Sequence, residues 1–260
     1  MIPKIIHYCW FGGNPLPDLA KRCIESWKKF CPDYEIVEWN ENNFDVNYCK
    51  YTKQAYEAKK WAFVSDVARL YALVNYGGIY MDTDVEALKS LDEFLDCEAF
   101  SGFESVDRIP TGIMAAEKGQ ALFTELLDEY NDAEFIKEDG SYDLTTNVSR
   151  ITNLCLKYGL ELNNDKQTIK GFTLYPYDYF CPKDCVTKKV KITKNTAVIH
   201  HFDGSWLPEI ERYQLKLFEK YSKFLPNVFA LRIAKFNSIK RHQGFKAAVC
   251  ETFKWLKKKN

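Results

Sequence analysis

The sequence has no apolar run approaching 18 residues, no net charge, no internal repeat and no low-complexity linker. The first absence argues against a membrane-spanning helix. The opening MIPKIIHYCWFGG holds only a short apolar run with no cleavage pattern after it, so a secretory leader is not expected. Nine cysteines stand singly. Cys181 and Cys185, in CPKDC, form the closest pair, and no second pair matches them. That spacing argues against a zinc site and for reduced thiols in a cytosolic protein.

What is present starts with size. At 260 residues and 46% hydrophobic, the chain can bury a full core. The zero net charge hides an asymmetry. Residues 221–260 carry ten Lys/Arg against the single acid Glu251, or +9. Residues 1–220 hold the other 26 bases and 35 acids, or −9. The reading is an acidic body, 1–220, with a basic amphipathic helical tail, 221–260.

Along the body, PKIIHYCWFGG reads as a buried strand ending in a glycine turn. LPDLAKRCIESWKKFCPDY reads as a helix and YEIVEWN as a second strand, which opens an α/β nucleotide-binding fold. From Gln54 to Tyr76 the apolar residues Phe63, Val64, Val67, Leu70, Tyr71 and Val74 predict one helix, stopped by Gly77 and Gly78. EAFSGFE, TGIMAAEKG, GFTLYP and NTAVIHHFDGSW supply later strands. QALFTELLDEY and NVSRITNLCLKYG supply helices.

The chemistry gathers at NYGGIYMDTDVEAL, residues 75–88. A double glycine runs into a short apolar strand, and Asp82 and Asp84 follow two residues apart. Two anions that close repel unless a cation lies between them. A divalent metal carrying phosphate oxygens is one way to satisfy them, although D-x-D alone is as easily a solvated turn. On the preceding helix Asp66 and Arg69 stand three apart, as an intrahelical ion pair or as part of a site. AVIHHFDGSW delivers His200 and His201 at a strand end, with Ser205 and Trp206 just beyond. One histidine and two carboxylates make a set of metal ligands, while a strand-end histidine pair alone is more often a hydrogen-bonding feature. Trp10, beside Gly12 and Gly13, is either core or a flat face for a base.

Taken together, IPKIIHYCWFGG, WAFVSDVARLYALVNYGGIYMDTDV and AVIHHFDGSW resemble the three signatures of glycosyltransferase family 32, the DXD-containing sugar transferases, over residues 2–206. The family includes bacterial capsule and lipopolysaccharide enzymes and yeast initiating mannosyltransferases, and is related to clostridial glucosylating toxins. The resemblance implies an α/β, GT-A-like nucleotide-sugar-binding fold with a mixed central sheet and a bound Mn²⁺ or Mg²⁺. It implies that Trp10 stacks on the base, with the backbone near His7 and Tyr8 holding its edge. Asp66 would bind donor-sugar hydroxyls and Arg69 the sugar or diphosphate. Asp82 would touch ribose and metal, Asp84 would ligate the metal, and His201 or His200 would complete the sphere. His201 is preferred because HFDGSW keeps the ligand-to-tryptophan spacing of related enzymes. Ser205 and Trp206 would close over the β-phosphate.

LTTNVSR stands where many relatives carry T-G-P, which assigns Thr146 and Asn147 to the acceptor side. Glu104 and Asp107 are candidates near the reacting sugar. The expected reaction is a retaining hexosyl transfer assisted at the leaving group. UDP-galactose or UDP-glucose is the expected donor, with GDP-mannose as an alternative. The expected acceptor is a lipid-linked saccharide in bacterial surface-polysaccharide synthesis. Competing classes are a glucosylating effector, a metal-dependent phosphohydrolase or nucleotidyltransferase, and a non-catalytic scaffold. Between Val228 and Leu256 the aromatic and aliphatic residues Phe229, Ile233, Phe236, Phe245, Phe253 and Trp255 are interleaved with Arg232, Lys235, Lys240, Arg241 and Lys246. That pattern predicts an anionic membrane surface as the tail's partner, not nucleic acid, and a peripheral position on the cytoplasmic face. The sequence sets no oligomeric state.

Overall fold

The computed structural model describes residues 1–184, 187–204 and 207–257. The chain opens with strand β1 (Ile5–Cys9), helix α1 (Asp18–Phe30) and strand β2 (Glu35–Trp39), as the hydrophobic pattern predicts. The single helix expected from Gln54 is instead two, α2 (Lys50–Glu57) and α3 (Trp61–Tyr76). The break sits at Lys59, whose φ of 56° lies in the left-handed region, and its N–H closes on the Tyr56 carbonyl. Helix α3 ends at Gly77 and Gly78, with φ of 70° and 108°. Each must also be bare. A Cβ on Gly77 would lie 2.8 Å from the Lys118 nitrogen, and one on Gly78 would lie 2.7 Å from the Ile5 carbonyl oxygen.

Strands β3 (Gly78–Met81) and β4 (Val85–Ala87) follow, then β5 (Ala99–Gly102) and β6 (Ile113–Ala116), helices α4 (Ala121–Asp128) and α5 (Asn147–Lys157), and strands β7 (Gln167–Ile169) and β8 (Phe172–Tyr175). The short helix α6 (Tyr177–Phe180) leads on to β9 (Val198–His200). The central sheet has seven strands in the order β2-β1-β3-β6-β5-β8-β7. It is mixed: β1 runs parallel to β2 and β3, whereas β6 is antiparallel to β3 and β5. Strand alternation divides the core between the two faces. Ile79 and Met81 join Cys23, Ile24 and Trp27 of α1. Tyr80 joins Val64, Val67 and Leu70 of α3 and Phe123 of α4. β4 and β9 form a separate antiparallel pair.

The chain divides into two compact units. One is Met1–Lys183 with Val190–His201, and the other is Asp184–Lys189 with everything from Phe202 onward. The second unit contains α7 (Glu209–Tyr221), α8 (Asn227–Gln243) and α9 (Phe245–Lys257). Its packing boundary therefore precedes the charge boundary at Tyr221. Phe218 of α7 is buried with Ala230 and Ala234 of α8, and Ser238 Oγ donates to the Ile210 carbonyl at 2.5 Å. Among the described residues no helix is long and apolar enough to cross a membrane. Cys185, Ser205 and Trp206, and the side chains of Phe253 and Trp255, lie outside the described residues.

Candidate active site

β1 is a switch point. The chain leaves it toward β2 on one side and returns to β3 on the other, so the loops at their carboxyl ends open a crevice. In open α/β sheets, ligands bind in such a crevice. Here the loop from β1 carries Trp10, Gly12 and Gly13, and the loop from β3 carries Asp82 and Asp84. The Asp82 N–H donates to the Gly112 carbonyl at 2.7 Å, and the Tyr80 hydroxyl donates to Asp82 Oδ1 at 2.8 Å. Both contacts fix the carboxylate as the strand ends.

The C-terminal histidines reach this loop through the β4–β9 ladder, which sets His200 opposite Val85. Asp82, Asp84 and His200 then offer ligand atoms all within 4.8 Å of one another. His200 Nε2 lies 3.4 Å from Asp84 Oδ1. The imidazole packs closely on Gly112, where a Cβ would come within 2.7 Å of Cε1 and 2.9 Å of Nδ1. Burial works to lower the His200 pKa, but the Asp84 carboxylate outweighs it and raises it well above the ordinary value. Of the two histidines, His200 stands with the aspartates, while the His201 Nε2 pairs with Glu86 at 2.8 Å. β9 ends at His200, so His200 is placed by the ladder and His201 follows it in the loop. Two carboxylates and an imidazole are a donor set that could hold a divalent metal ion.

Asp66 and Arg69 are both an ion pair and part of this crevice. Arg69 Nη2 lies 3.2 Å from Asp66 Oδ1, and Nη1 lies 3.4 Å from Asp82 Oδ1. Nη1 also donates to the Thr111 carbonyl at 2.7 Å and Nε to the Ser65 carbonyl at 3.1 Å, and the guanidinium lies 4.6 Å from the Tyr80 ring centre. Arg69 thus brackets the two carboxylates. Sequence alone gave Asp82 no basic neighbour; the fold supplies one. Burial pushes the Asp66 pKa up to about 6, against the pull of Arg69 and the Asn147 N–H.

Asn147, expected on the acceptor side, is fully buried. It opens α5, donating its backbone N–H to Asp66 Oδ2 at 3.3 Å and its side-chain amide to the Asp66 carbonyl at 2.6 Å. The Tyr130 hydroxyl donates to Asn147 Oδ1 at 2.5 Å. Asn147 therefore positions Asp66. Thr146 caps the helix, its side chain accepting from the Ser149 N–H.

His7 is also a positioning residue. Its Nε2 meets the Gly77 carbonyl at 2.8 Å, Trp39 Nε1 donates to its Nδ1 at 3.1 Å, and burial lowers its pKa. The Tyr8 hydroxyl donates to Glu38 at 2.6 Å. Trp10 is half-buried against the α1 cluster, its indole N–H donating to the Asn14 carbonyl at 2.5 Å. Glu104 has its pKa raised by burial, with the His200 charge pulling the other way. Asp107 is exposed and accepts from Ser105 Oγ. Tyr80, Gly112 and Tyr130 were missed in the sequence. Tyr80 alone had a local signal, two residues before Asp82.

The family model described as "Glycosyltransferase sugar-binding region containing DXD motif" matches residues 17–101. Inositol phosphoceramide mannosyltransferase 3 of Schizosaccharomyces pombe is 30% identical over 138 residues, 48% of this chain and 36% of that protein. The chain thus spans about a third of that relative's length. A glycosyltransferase of Acanthamoeba polyphaga mimivirus, L373, is 24% identical over 239 residues, 86% of this chain and 92% of that one. Among solved structures, PaToxG glycosyltransferase aligns with a TM-score of 0.44 at 17% identity, over 60% of this chain and 69% of that one. The galactosyltransferase LgtC aligns with a TM-score of 0.40 at 13% identity, over 86% and 98%. Residues 17–101 thus match the sugar-binding region of DXD-containing glycosyltransferases, the class that the three motifs resemble.

Proposed function

We propose that the protein transfers a hexose from a nucleotide-sugar to a saccharide acceptor, with a divalent cation held by Asp82, Asp84 and His200. The observation that carries this reading is the meeting of those three ligands at the β1/β3 crevice, beside the Asp66–Arg69 pair. Glycosyl transfer builds negative charge on the leaving diphosphate, and a bound Mn²⁺ or Mg²⁺ would stabilise it there. The chain's own part is to hold that charge in register. Arg69 fixes Asp82, Gly112 leaves room for His200, and Asn147 aims Asp66 at the donor-sugar hydroxyls. UDP-galactose, UDP-glucose and GDP-mannose are the donors to test with Mn²⁺. One of them should be hydrolysed slowly to free nucleoside diphosphate, and chelation should stop it. Release of sugar 1-phosphate instead would favour a phosphohydrolase.

A lipid-linked acceptor is supported by the inositol phosphoceramide in the yeast relative's name. It is also supported by the second unit, whose α8 is inside out in residue size. Its small residues Ala230, Ala234 and Ser238 are buried, while Val228, Phe229, Leu231 and Ile233 are exposed, as is Phe245 of α9. Exposed Arg232, Lys235, Lys240 and Arg241 lie among them. Aromatic anchors among bases suit an anionic bilayer, where each base contributes roughly 1 kcal/mol. The full chain should sediment with phosphatidylserine vesicles at low salt and be released at high salt. Phe229→Ser with Phe245→Ser should remain in the supernatant and still hydrolyse donor. Equal sedimentation of the two proteins would remove the membrane from the reading.

A further inference from the structure

We propose that Arg150 is a positioning residue for sugar transfer. It ties the Asp143 turn and Tyr130 to α5, so that Asn147 holds the Asp66 carboxylate toward the donor sugar. This rests on the place of Asp66 in the nucleotide-sugar reading above.

Arg150 stands one turn into α5, on the same side of the helix as Asn147. Nη2 donates to Asp143 Oδ2 at 3.0 Å, and Nη1 lies 3.6 Å from Glu129 Oε2. The guanidinium lies 4.6 Å from the centre of the Tyr130 ring, a cation–π distance. Two of these partners lead to Asp66. Asp143 Oδ1 accepts from the Thr145 N–H at 3.1 Å and from Thr145 Oγ1 at 2.7 Å, closing the turn that enters the Thr146 cap. That turn sets where Asn147 begins the helix. Tyr130 reaches Asn147 directly, its hydroxyl donating to Oδ1, and Asn147 in turn donates twice to Asp66.

Stability alone does not account for an arginine at this position. Its Nε is buried with no hydrogen-bond partner among the described residues. So is the hydroxyl of Tyr51, whose ring centre lies 6.0 Å from the guanidinium. Unpaired buried polar atoms destabilise a fold, and an apolar side chain of similar length would fill the space without that cost. An apolar side chain would not supply a charge behind the N-terminus of α5, where Asp66 is held. Burial raises the Asp66 pKa, and Arg69, the Asn147 N–H and the Arg150 charge oppose that rise. Arg69 is shared with Asp82, whereas Asn147 and Arg150 approach Asp66 from α5.

Steady-state hydrolysis of whichever of UDP-galactose, UDP-glucose and GDP-mannose the wild type cleaves in Mn²⁺, with calorimetry of the matching nucleoside diphosphate, reads this role. Arg150→Gln should lower kcat at least about tenfold and leave nucleoside diphosphate affinity within about twofold, because a displaced Asp66 misplaces the sugar and not the nucleotide. Arg150→Lys keeps the charge and one bond to Asp143, and should recover part of the loss. Asp143→Asn can keep the Thr145 bonds but gives up the ion pair, so it should also lower kcat. In the Arg150→Gln protein it should add little, because the two residues act through one contact. Circular dichroism controls for folding, and Asp143→Asn carries the same comparison should Arg150→Gln not fold. An unchanged kcat, no recovery in Arg150→Lys, or a loss of nucleoside diphosphate affinity as large as the loss in kcat overturns the positioning role and leaves the enzyme reading standing. Failure of the wild type to hydrolyse any of the three donors overturns the nucleotide-sugar reading and this role with it.

Discussion

Asp84→Ala should abolish donor hydrolysis. His200→Ala should follow it, with at least about a 100-fold loss in apparent Mn²⁺ affinity or in activity. Asp84 and His200 face each other at 3.4 Å, and Asp82 completes a cluster spanning no more than 4.8 Å. Removing Asp84 leaves one carboxylate and an imidazole, too few charges to hold a dication against water. His201→Ala should do less, since that ring is engaged by Glu86. Gly112→Ala should imitate His200→Ala without touching a ligand. The added methyl would overlap the imidazole, and overpacking of this kind costs roughly 1–3 kcal/mol if the ring does not move. Metal titrations of hydrolysis across the four variants, with circular dichroism as the folding control, check the set. A larger effect from His201→Ala than from His200→Ala would place the cation elsewhere.

The two histidines mark where sequence reading stops. Both lie in AVIHHFDGSW, and the motif shows that one should reach the aspartates. Which one depends on the register of β4 against β9, and a slip of one residue exchanges the faces. The strand before the aspartates was legible because glycine, apolar and acidic residues follow in local order. The helix break at Lys59 was not, because lysine gives no sign of a left-handed backbone. Arg69 was legible as a partner of Asp66, three residues away. Its second contact, with Asp82, exists only because α3 packs beside β3. Asn147 looked like an acceptor residue from its place in LTTNVSR. Its burial against Asp66 and Tyr130, 81 and 17 residues away in sequence, could not be read there.

That burial sets the second large effect. Asp66→Asn should reduce sugar transfer severely while leaving nucleoside diphosphate binding largely intact, because Asp66 is assigned to the sugar and not to the metal. Asp66 faces Arg69, Asp82, Asn147 and Arg150, and burial raises its pKa to about 6. If the ionised form is required, wild-type activity should fall as pH drops through about 6. The stability effect has the opposite sense. A folded-state pKa of about 6 lies above the unfolded value near 4, so the folded protein binds the extra proton between them. The stabilising contribution of Asp66 is therefore full below about pH 4 and is lost as pH rises through about 6. Relative to Asp66→Asn, the wild type should lose on the order of 2–3 kcal/mol over that window. Asn147→Ala should cost about 1–3 kcal/mol by leaving the Tyr130 hydroxyl unpaired in the core. It should also loosen the N-terminus of α5 on Asp66, moving the acidic limb of the activity profile to higher pH. Urea denaturation of wild type and Asp66→Asn from pH 4 to 7, set beside the pH–activity profile of Asn147→Ala, reads both effects. Parallel stability curves and an unmoved acidic limb would show that Asp66 does not titrate in this window.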